Sequence, residues 1–516
     1  MVRNTNHHWF VTRTNGAAKG GRMKAVRVHE AVCSSHFHTA PGPRSLLAGF
    51  VLLLGACASL PPGPPPEVAL PGSWRAPLPQ GDSTGALADW WRTFPDPLLA
   101  SLVERARDGN PGLQAVAARH RQARALAGQA RAGLMPQLDA GASARRGDSL
   151  DNVPGLSTQS ELQFEARWEI DLFGGARAQA EARAAEADAT RSDWHAAQVS
   201  LAAEVASAYV ELRLAQAREE LERLDGALAA RLVEWGRLQH AAGLIDASGL
   251  AQLQADEAAA ASRRSAAQLQ AQLALQQLAV LVGVPASGLE QELVPSPMPT
   301  DAGEPQRAVP DAPPFAVETL PARLLGQRPD VAAAHQRWLA ALANRRAVDA
   351  QRWPQLSLGV LAGEARVSAD GQGVSTSSWS LGPSLTLPLF DGGARRAGSA
   401  AALAEVDEAA ANLQASWQAA VADVEDALQR LVAAREHQRQ AVDVAAQRQG
   451  IAARAALQAR AGLASGPERV AAQRSALDAR AGALAAQAEH TQAWIRLYRA
   501  LGGGWSAVQA AVGHEG

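Results

Sequence analysis

The chain has only two cysteines and two tyrosines among its 516 residues, and aromatic residues amount to 4%. Cys33 precedes Cys57 in an N-terminal stretch read below as a removable signal, so no disulfide framework holds the rest together. Beyond Cys57 no apolar run approaches the roughly 20 residues of a membrane-crossing helix, so passage through a bilayer has to use strands. Motifs of chemistry are missing too. There is no Gly-rich loop ending in Lys-Ser or Lys-Thr, no pair of histidines at zinc-binding helical spacing and no Gly-x-Ser-x-Gly elbow. His120, His195, His240, His335, His437 and His490 are scattered and read as solvated surface histidines. An enzyme, a metal centre and a bound cofactor are therefore not expected. The formal charge is −2, with seven basic and one acidic residue in 1–56, which leaves about −8 on the remainder. That balance recruits no nucleic acid. Proline is absent from 176–241 and from 394–461, which permits two helices of about 100 Å at 1.5 Å per residue.

From Pro136 onward the chain carries one pattern twice, offset by about 218 residues. Asn110-Pro111-Gly112-Leu113 falls opposite Arg328-Pro329-Asp330-Val331, and Met135-Pro136-Gln137-Leu138 opposite Trp353-Pro354-Gln355-Leu356. Asp171-Leu172-Phe173-Gly174-Gly175-Ala176-Arg177 meets Pro388-Leu389-Phe390-Asp391-Gly392-Gly393-Ala394-Arg395, with Asp391 as the insertion. Ala242-Gly243-Leu244 then meets Ala461-Gly462-Leu463, and Leu278 to Gly283 meets Leu497 to Gly502. Matches kept in one order make duplication the simplest account.

Each copy begins with alternation of period two. Leu162, Phe164, Ala166, Trp168 and Ile170 form one row and Gln163, Glu165, Arg167, Glu169 and Asp171 the other, the pattern of a two-faced strand. Its partner runs from Leu138, and the second copy repeats the pair, so strands are expected at about 137–147, 160–171, 355–366 and 377–389. Each approaches the length needed to cross a bilayer at a tilt. Four strands alone would leave unpaired edges in lipid, so a barrel has to be shared between subunits. Leucines at threes and fours along the long helices (Leu221, Leu224, Leu228, Leu232) suit side-by-side packing, and the alanines elsewhere allow a second close neighbour. Gly243 and Gly462 suit left-handed helix ends, from which shorter helices return. Leu98 to Leu134 reads as one helix or, with Asn110-Pro111 as an internal cap, as two. Gly502-Gly503-Gly504 reads as a helix terminator.

The N-terminus speaks to compartment. Leu46 to Ala56 follows Arg22, Lys24, Arg27 and Arg44, is too short to span a bilayer and ends in Leu54-Gly55-Ala56-Cys57. This is the pattern of a bacterial lipoprotein signal peptide, with Cys57 lipidated and first after cleavage; translation from Met23 would give it an ordinary length. The alternative, a buried cysteine ending a core helix, fits poorly with the tether Pro61-Pro62-Gly63-Pro64-Pro65-Pro66 that follows. Ala58 and Ser59, by resemblance to bacterial lipoproteins, favour the outer membrane.

Trp90-Trp91-Arg92-Thr93-Phe94-Pro95-Asp96-Pro97-Leu98, Leu325-Gly326-Gln327-Arg328-Pro329-Asp330, Pro388-Leu389-Phe390-Asp391-Gly392-Gly393 and Leu497-Tyr498-Arg499-Ala500-Leu501-Gly502-Gly503-Gly504-Trp505 resemble the hallmark strings of TolC-like outer-membrane efflux proteins, in particular the lipoprotein, NodT-type branch. The resemblance implies a mainly α fold with a transmembrane β part: a homotrimeric 12-stranded β-barrel continued by a 12-helix α-barrel. It also implies passive conduction as the exit duct of a tripartite efflux pump, with a periplasmic adaptor and an inner-membrane RND-type transporter as partners. On this reading residues 1–56 are signal and 57–97 anchor and N-terminal equatorial segment. Residues 98–284 form repeat 1, 285–328 an equatorial linker, 329–502 repeat 2 and 503–516 the tail. By resemblance, Gly243, Leu244, Gly462 and Leu463 contact the adaptor and Glu468 belongs to the acidic ring of the aperture. The second acid usual there is replaced by Ala471, and Glu468 also reads as an exposed acid in the first turn after Pro467. A lipid-anchored periplasmic adaptor and a structural coiled-coil lipoprotein are the other classes considered; neither needs the duplicated strand pairs.

Overall fold

Pro97 and Pro111 open the first two helices, α1 (Pro97–Gly109) and α2 (Pro111–Ala132), because a residue without an amide hydrogen loses no bond at the first helical position. Asp96 accepts from the amide of Leu98 at 3.1 Å and Asn110 from that of Leu113 at 3.0 Å, so the segment from Leu98 to Leu134 is two capped helices. This computed structural model describes residues 73–79, 87–148, 155–293, 309–317, 328–369 and 372–505, all within the unit Pro62–Gly516. A 3-10 turn, Leu87–Thr93, precedes α1. After α2 come β1 (Gln137–Asp148) and β2 (Leu156–Ile170), then α3 (Gly175–Ala241), α4 (Ala247–Val282) and a short α5 (Ala286–Glu290). The second repeat follows as α6 (Pro329–Ala350), β3 (Gln355–Ala369), β4 (Gln372–Thr386), α7 (Ala394–Arg460) and α8 (Gly466–Ala500).

The strands form one antiparallel sheet in the order β1-β2-β3-β4. β2 begins four residues before the expected 160 and β3 runs three past 366, because Ser157, Thr158 and Gln159 pair with Ala369, Ser368 and Val367 and continue the ladder. β4 also lies earlier than the expected 377–389, from 372 to 386: its partner β3 begins at Gln355, which pairs with Thr386.

The repeats share one order of elements, with one further difference. Both hairpin registers (Gln137 with Arg167, Gln355 with Thr386) and both left-handed helix caps (Gly174, Gly393) put β4 and α7 219 residues after β2 and α3. The Leu-Phe motif therefore sits earlier relative to its flanking elements in repeat 2, where Gly392 and Gly393 are both left-handed. Asp171 and Asp391 nevertheless do the same work. Asp171 accepts from the amides of Ala176 and Arg177, and Asp391 from those of Gly393 and Arg395.

α3 and α7 each have 67 residues, about 100 Å at 1.5 Å per residue. Most buried positions on α3 are alanines, which is how it can lie against α2, α4, α6 and α8 at once. α7 packs mainly against α6 and α8, and fewer than half as many of its residues are buried.

Bulky residues gather in one belt around the middle of α3. Trp90, Trp91, Phe94, Phe315, Trp494 and Tyr498 share a buried cluster with Leu99, Leu102, Val205 and Leu212; Trp90 stacks on Tyr498 with centroids 5.4 Å apart, and Phe315 meets Trp494 edge-on at 4.9 Å. Trp90 Nε1 donates to the carbonyl of Pro313 at 3.0 Å. The Tyr209 hydroxyl donates to the Asp96 carboxylate, and Arg213 Nε donates to the same hydroxyl at 2.9 Å. Where α1 and α4 end, Gly283 (φ +77°) lies so close to Gly109 that a Cβ would stand 2.5 Å from the Gly109 oxygen. Asn110 Nδ2 completes that junction by donating to Leu281 at 2.9 Å.

Arg328 closes the belt. Buried at 8% exposure, it donates to Ala500 O at 2.9 Å, Asp330 at 2.7 Å and Asp423 at 3.0 Å, joining the start of α6 to α7 and the end of α8. Burial pushes its pKa down, and the two carboxylates more than reverse this. Replacing Arg328 with Met leaves the Ala500 carbonyl without its donor and is expected to cost about 1–3 kcal/mol. The check is the thermal midpoint of helical circular dichroism, with Arg328→Lys recovering part of the loss.

Candidate functional site

The sheet has two chemically distinct faces. Across the strands, Leu138, Ala166, Val360 and Leu381 lie in one line and Ala140, Phe164, Ala362 and Trp379 in the next. Asp139, Glu165, Leu361 and Ser380 line the opposite face, as do Ser143, Glu161, Ala365 and Thr376. On β2 the apolar face runs from Leu162 to Ile170, about 30 Å along a strand at 3.3 Å per residue. Tilted by about 40°, it covers close to the 25 Å apolar band of a membrane barrel. Trp379 is 81% exposed and Leu385 66%, so most of the face is bare in the single chain, with Trp168 Nε1 donating to Leu134 O at 3.1 Å at its lower end. No described helix is long and apolar enough to cross a membrane, which says nothing against strands.

At the far end of the helical hairpins lie two matching turns. Gly243 (φ +72°) and Gly462 (φ +75°) take the left-handed conformation. The amide of Leu244 donates to Gln239 O and that of Leu463 to Gln458 O, each at 2.8 Å, the bond that closes a Schellman helix end. Both leucines point into solvent, 74% and 79% exposed. Asp246 then caps α4 by accepting from Gly249 at 2.8 Å. In the second hairpin Ser465 and Glu468 form a reciprocal capping box: Ser465 N donates to Glu468 Oε2 at 2.7 Å, and Glu468 N to Ser465 Oγ at 3.3 Å. Donation from the Ser465 amide, with the Ser465 hydroxyl second, holds the exposed Glu468 carboxyl below the usual carboxylate range. The position matching Glu468 in the first hairpin is Gly249, so the acid occurs in one repeat only.

Between the hairpins lies an ion cluster that sequence reading missed. Arg474 of α8 donates to Asp225 of α3 through Nε at 2.6 Å and Nη2 at 3.0 Å. Arg263 of α4 donates to the same Asp225 at 2.7 Å and to Glu222 at 3.2 Å. Burial raises the Asp225 pKa, but the bonds and charges of Arg474 and Arg263 outweigh it and hold the carboxyl below its ordinary value. Closer to the turn, the Trp235 ring packs within 2.8 Å of where a Cβ on Gly466 would stand, with the Arg469 guanidinium 5.9 Å from its centroid. Asp225 and Arg474 are far apart in sequence on alanine-rich helices, so no local pattern marks them.

Cys57 and the signal segment lie outside the described residues. Of the six histidines singled out above, His240 and His437 are exposed, whereas His120, His195, His335 and His490 are half-buried, so the expectation of solvated rings fits two. Burial pushes the pKa of His120, His195 and His335 down.

A two-faced, open-edged sheet on one end of paired helices about 100 Å long defines a subunit of a membrane duct. The chain belongs to the outer membrane efflux protein family, whose model matches residues 102–284 and 320–503. It is 32% identical to the pyoverdine export outer membrane protein OpmQ of Pseudomonas putida, over 90% of this chain and 98% of the relative. It is 28% identical to nodulation protein T of Rhizobium leguminosarum bv. viciae, over 73% and 76%. Among solved structures it is similar to the MtrE outer membrane channel of Neisseria gonorrhoeae, with a TM-score of 0.73, 25% identity and coverage of 87% of this chain and 99% of that one. The protein is thus an outer-membrane efflux channel component.

Since the Asp225 pKa is depressed, its contribution is present above the unfolded value of about 3.9 and is lost as pH falls through the lower folded value. Between pH 5 and 8 the spacing of α3 and α8 near Asp225, read by spin-label distances, is expected to stay constant. Asp225→Asn should widen it at neutral pH, at a cost on the order of 2 kcal/mol.

Proposed function

We propose that three copies of the chain assemble into a duct, a 12-stranded barrel in the outer membrane continued by a 12-helix tunnel, that conducts cargo passively from an adaptor and an inner-membrane transporter. The observation that carries this reading is the two-faced sheet whose edge strands β1 and β4 have no partner on their outer sides among the described residues. Open amides in lipid cost several kcal/mol each, and a closed ring of copies removes them. A lipid on Cys57 would anchor each copy, and no other cofactor is invoked.

The hairpin turns support docking of the adaptor. Leu244 and Leu463 are solvent-facing apolar knobs on matching turns, suited to the groove of a partner's helical hairpin. Beside them Glu468, ionised at neutral pH, would place three negative charges around the axis, attracting cations while repelling one another. Arg469 turns toward Trp235, and position 471 is alanine, so the ring's charge rests on Glu468. The cluster of Asp225, Arg263 and Arg474 holds the second hairpin's return helix against the first and so keeps the end narrow. Cargo choice is assigned to the inner-membrane partner.

The test is mass in detergent together with single-channel conductance in planar bilayers. The expected result is a trimer with small, cation-preferring steps; Asp225→Asn enlarges the steps and Glu468→Ala weakens the preference. A monomer without conductance overturns the duct. A second prediction concerns the turns: Leu244→Asp with Leu463→Asp should abolish export in cells by at least tenfold, measured as cargo accumulation, while conductance and trimer mass stay unchanged.

A further inference from the structure

The duplication supplies a template for surfaces that one chain leaves bare. Inside the chain, repeat 1 meets repeat 2 along β2 and β3, with Ile170 opposite Leu356 and Trp168 opposite Leu358. It also meets it along α3 and α6, where Arg337 pairs with Asp193, and Arg346 with Glu181 at 2.7 Å. The equivalents of β2 and α3 are β4 and α7; those of β3 and α6 are β1 and α2. Each of these four has an open side. Leu389 is 88% exposed, Leu138 73%, Leu385 66% and Leu387 50%.

The ends of β2 and β4 differ in a way the template explains. β2 pairs with β1 only as far as Arg167 and runs on to Ile170 because Trp168, Glu169 and Ile170 pair with β3. β4 pairs with β3 as far as Thr386, the equivalent of Arg167, and stops. Leu387, Pro388 and Leu389 are therefore the equivalents of three residues that are strand only because the next repeat is beside them.

We propose that a second copy of the chain lays its β1 against β4 in the register already used between β2 and β3, extending β4 through Leu389. This sets Leu389 opposite the partner's Leu138, Leu387 opposite the partner's Ala140 and Leu385 opposite the partner's Ala142. All six lie on the apolar face, so the register keeps that face continuous. An antiparallel strand bonds one neighbour through alternate residues, so a ladder drawn through Leu387 and Leu389 turns the ring nitrogen of Pro388 away. Along the helices the same equivalence puts Asn412 near the partner's Arg119, and Ala400 near the partner's Gly128. All four positions are exposed in the single chain. The seam between copies thus lacks the two ion pairs that join the repeats.

The proposal rests on the assembly argued above, and its test separates the two. The variant Leu389→Cys with Leu138→Cys is oxidised beside the two-residue-shifted pair Leu387→Cys with Leu138→Cys. Ile170→Cys with Leu356→Cys serves as the within-chain standard, and single-cysteine variants set the background. Opposed residues bring Cβ atoms within disulfide reach and diagonal ones do not. The expected result is covalent trimers from the first pair, at least fivefold more than from the shifted pair. A protein of trimeric mass in which the shifted pair bridges faster, or in which neither bridges while the standard does, overturns the register and leaves the trimer standing. A monomeric mass overturns the assembly itself. In the unmutated protein the amides of Leu387 and Leu389 should be protected from hydrogen exchange, and rapid exchange in a trimer also refutes the proposal.

Discussion

A strand in lipid cannot leave its amides unpaired, and that constraint governs the rest of this molecule. One chain provides four strands of 12 to 15 residues, with an apolar row on one face across all four and, on β2, charges on the other. Such a sheet is complete in its hairpins and incomplete at β1 and β4. The only closure that satisfies every amide brings in further copies, and a ring of sheets fixes how the helices below are spaced. α3, inside the chain, has neighbours on both sides; α7, at its border, has them on one. The difference in burial between two helices of equal length is the helical expression of the same open edge.

Alanine and aromatic residues divide the structural labour. A helix walled between two others needs small side chains on two opposite faces, and α3 has them from Ala178 to Ala229. Small side chains bury little area each, at about 25 cal/mol per Å², so length substitutes for size along the tunnel. The few large rings are gathered at the belt instead. There Trp90, Trp91, Phe94, Phe315, Trp494 and Tyr498 tie the N-terminal segment and residues 309–317 to the end of α8. The buried Arg328 and the bond from Tyr209 to Asp96 orient these pieces on α3 and α7.

Much of this fold was legible because it rests on local rules repeated twice. Proline at 97, 111 and 329 marks helix starts, Gly243 and Gly462 mark ends, and alternation from Leu162 to Ile170 marks a two-faced strand. Strand ends were harder: the residues of 156–160 and 372–376 are mostly polar, and what keeps them in the ladder is a neighbour's backbone. Ser465-Gly466-Pro467-Glu468 carries the serine-to-glutamate spacing of a capping box, so Glu468's bond to Ser465 was readable, while its relation to an axis was not. The cluster around Asp225 had no readable sign, since its partners meet only after two hairpins have packed.

The repeats are alike in backbone and unlike in charge, and the unlikeness has a mechanical sense. Asp225, Arg263 and Arg474 correspond to Val444, Gly482 and Ala255, and Glu468 to Gly249. Parting α3 from α8 within a chain therefore breaks the charged hydrogen bonds from Arg474 to Asp225, which are worth more than neutral ones. Under the proposed register, the equivalent parting between copies separates Val444 from the partner's Ala255 and breaks none. The tunnel end is in that case built of three ionically tied hairpin pairs joined by charge-poor seams. Opening it without disturbing the ties means moving whole pairs, whereas widening within a pair requires something that competes for Asp225.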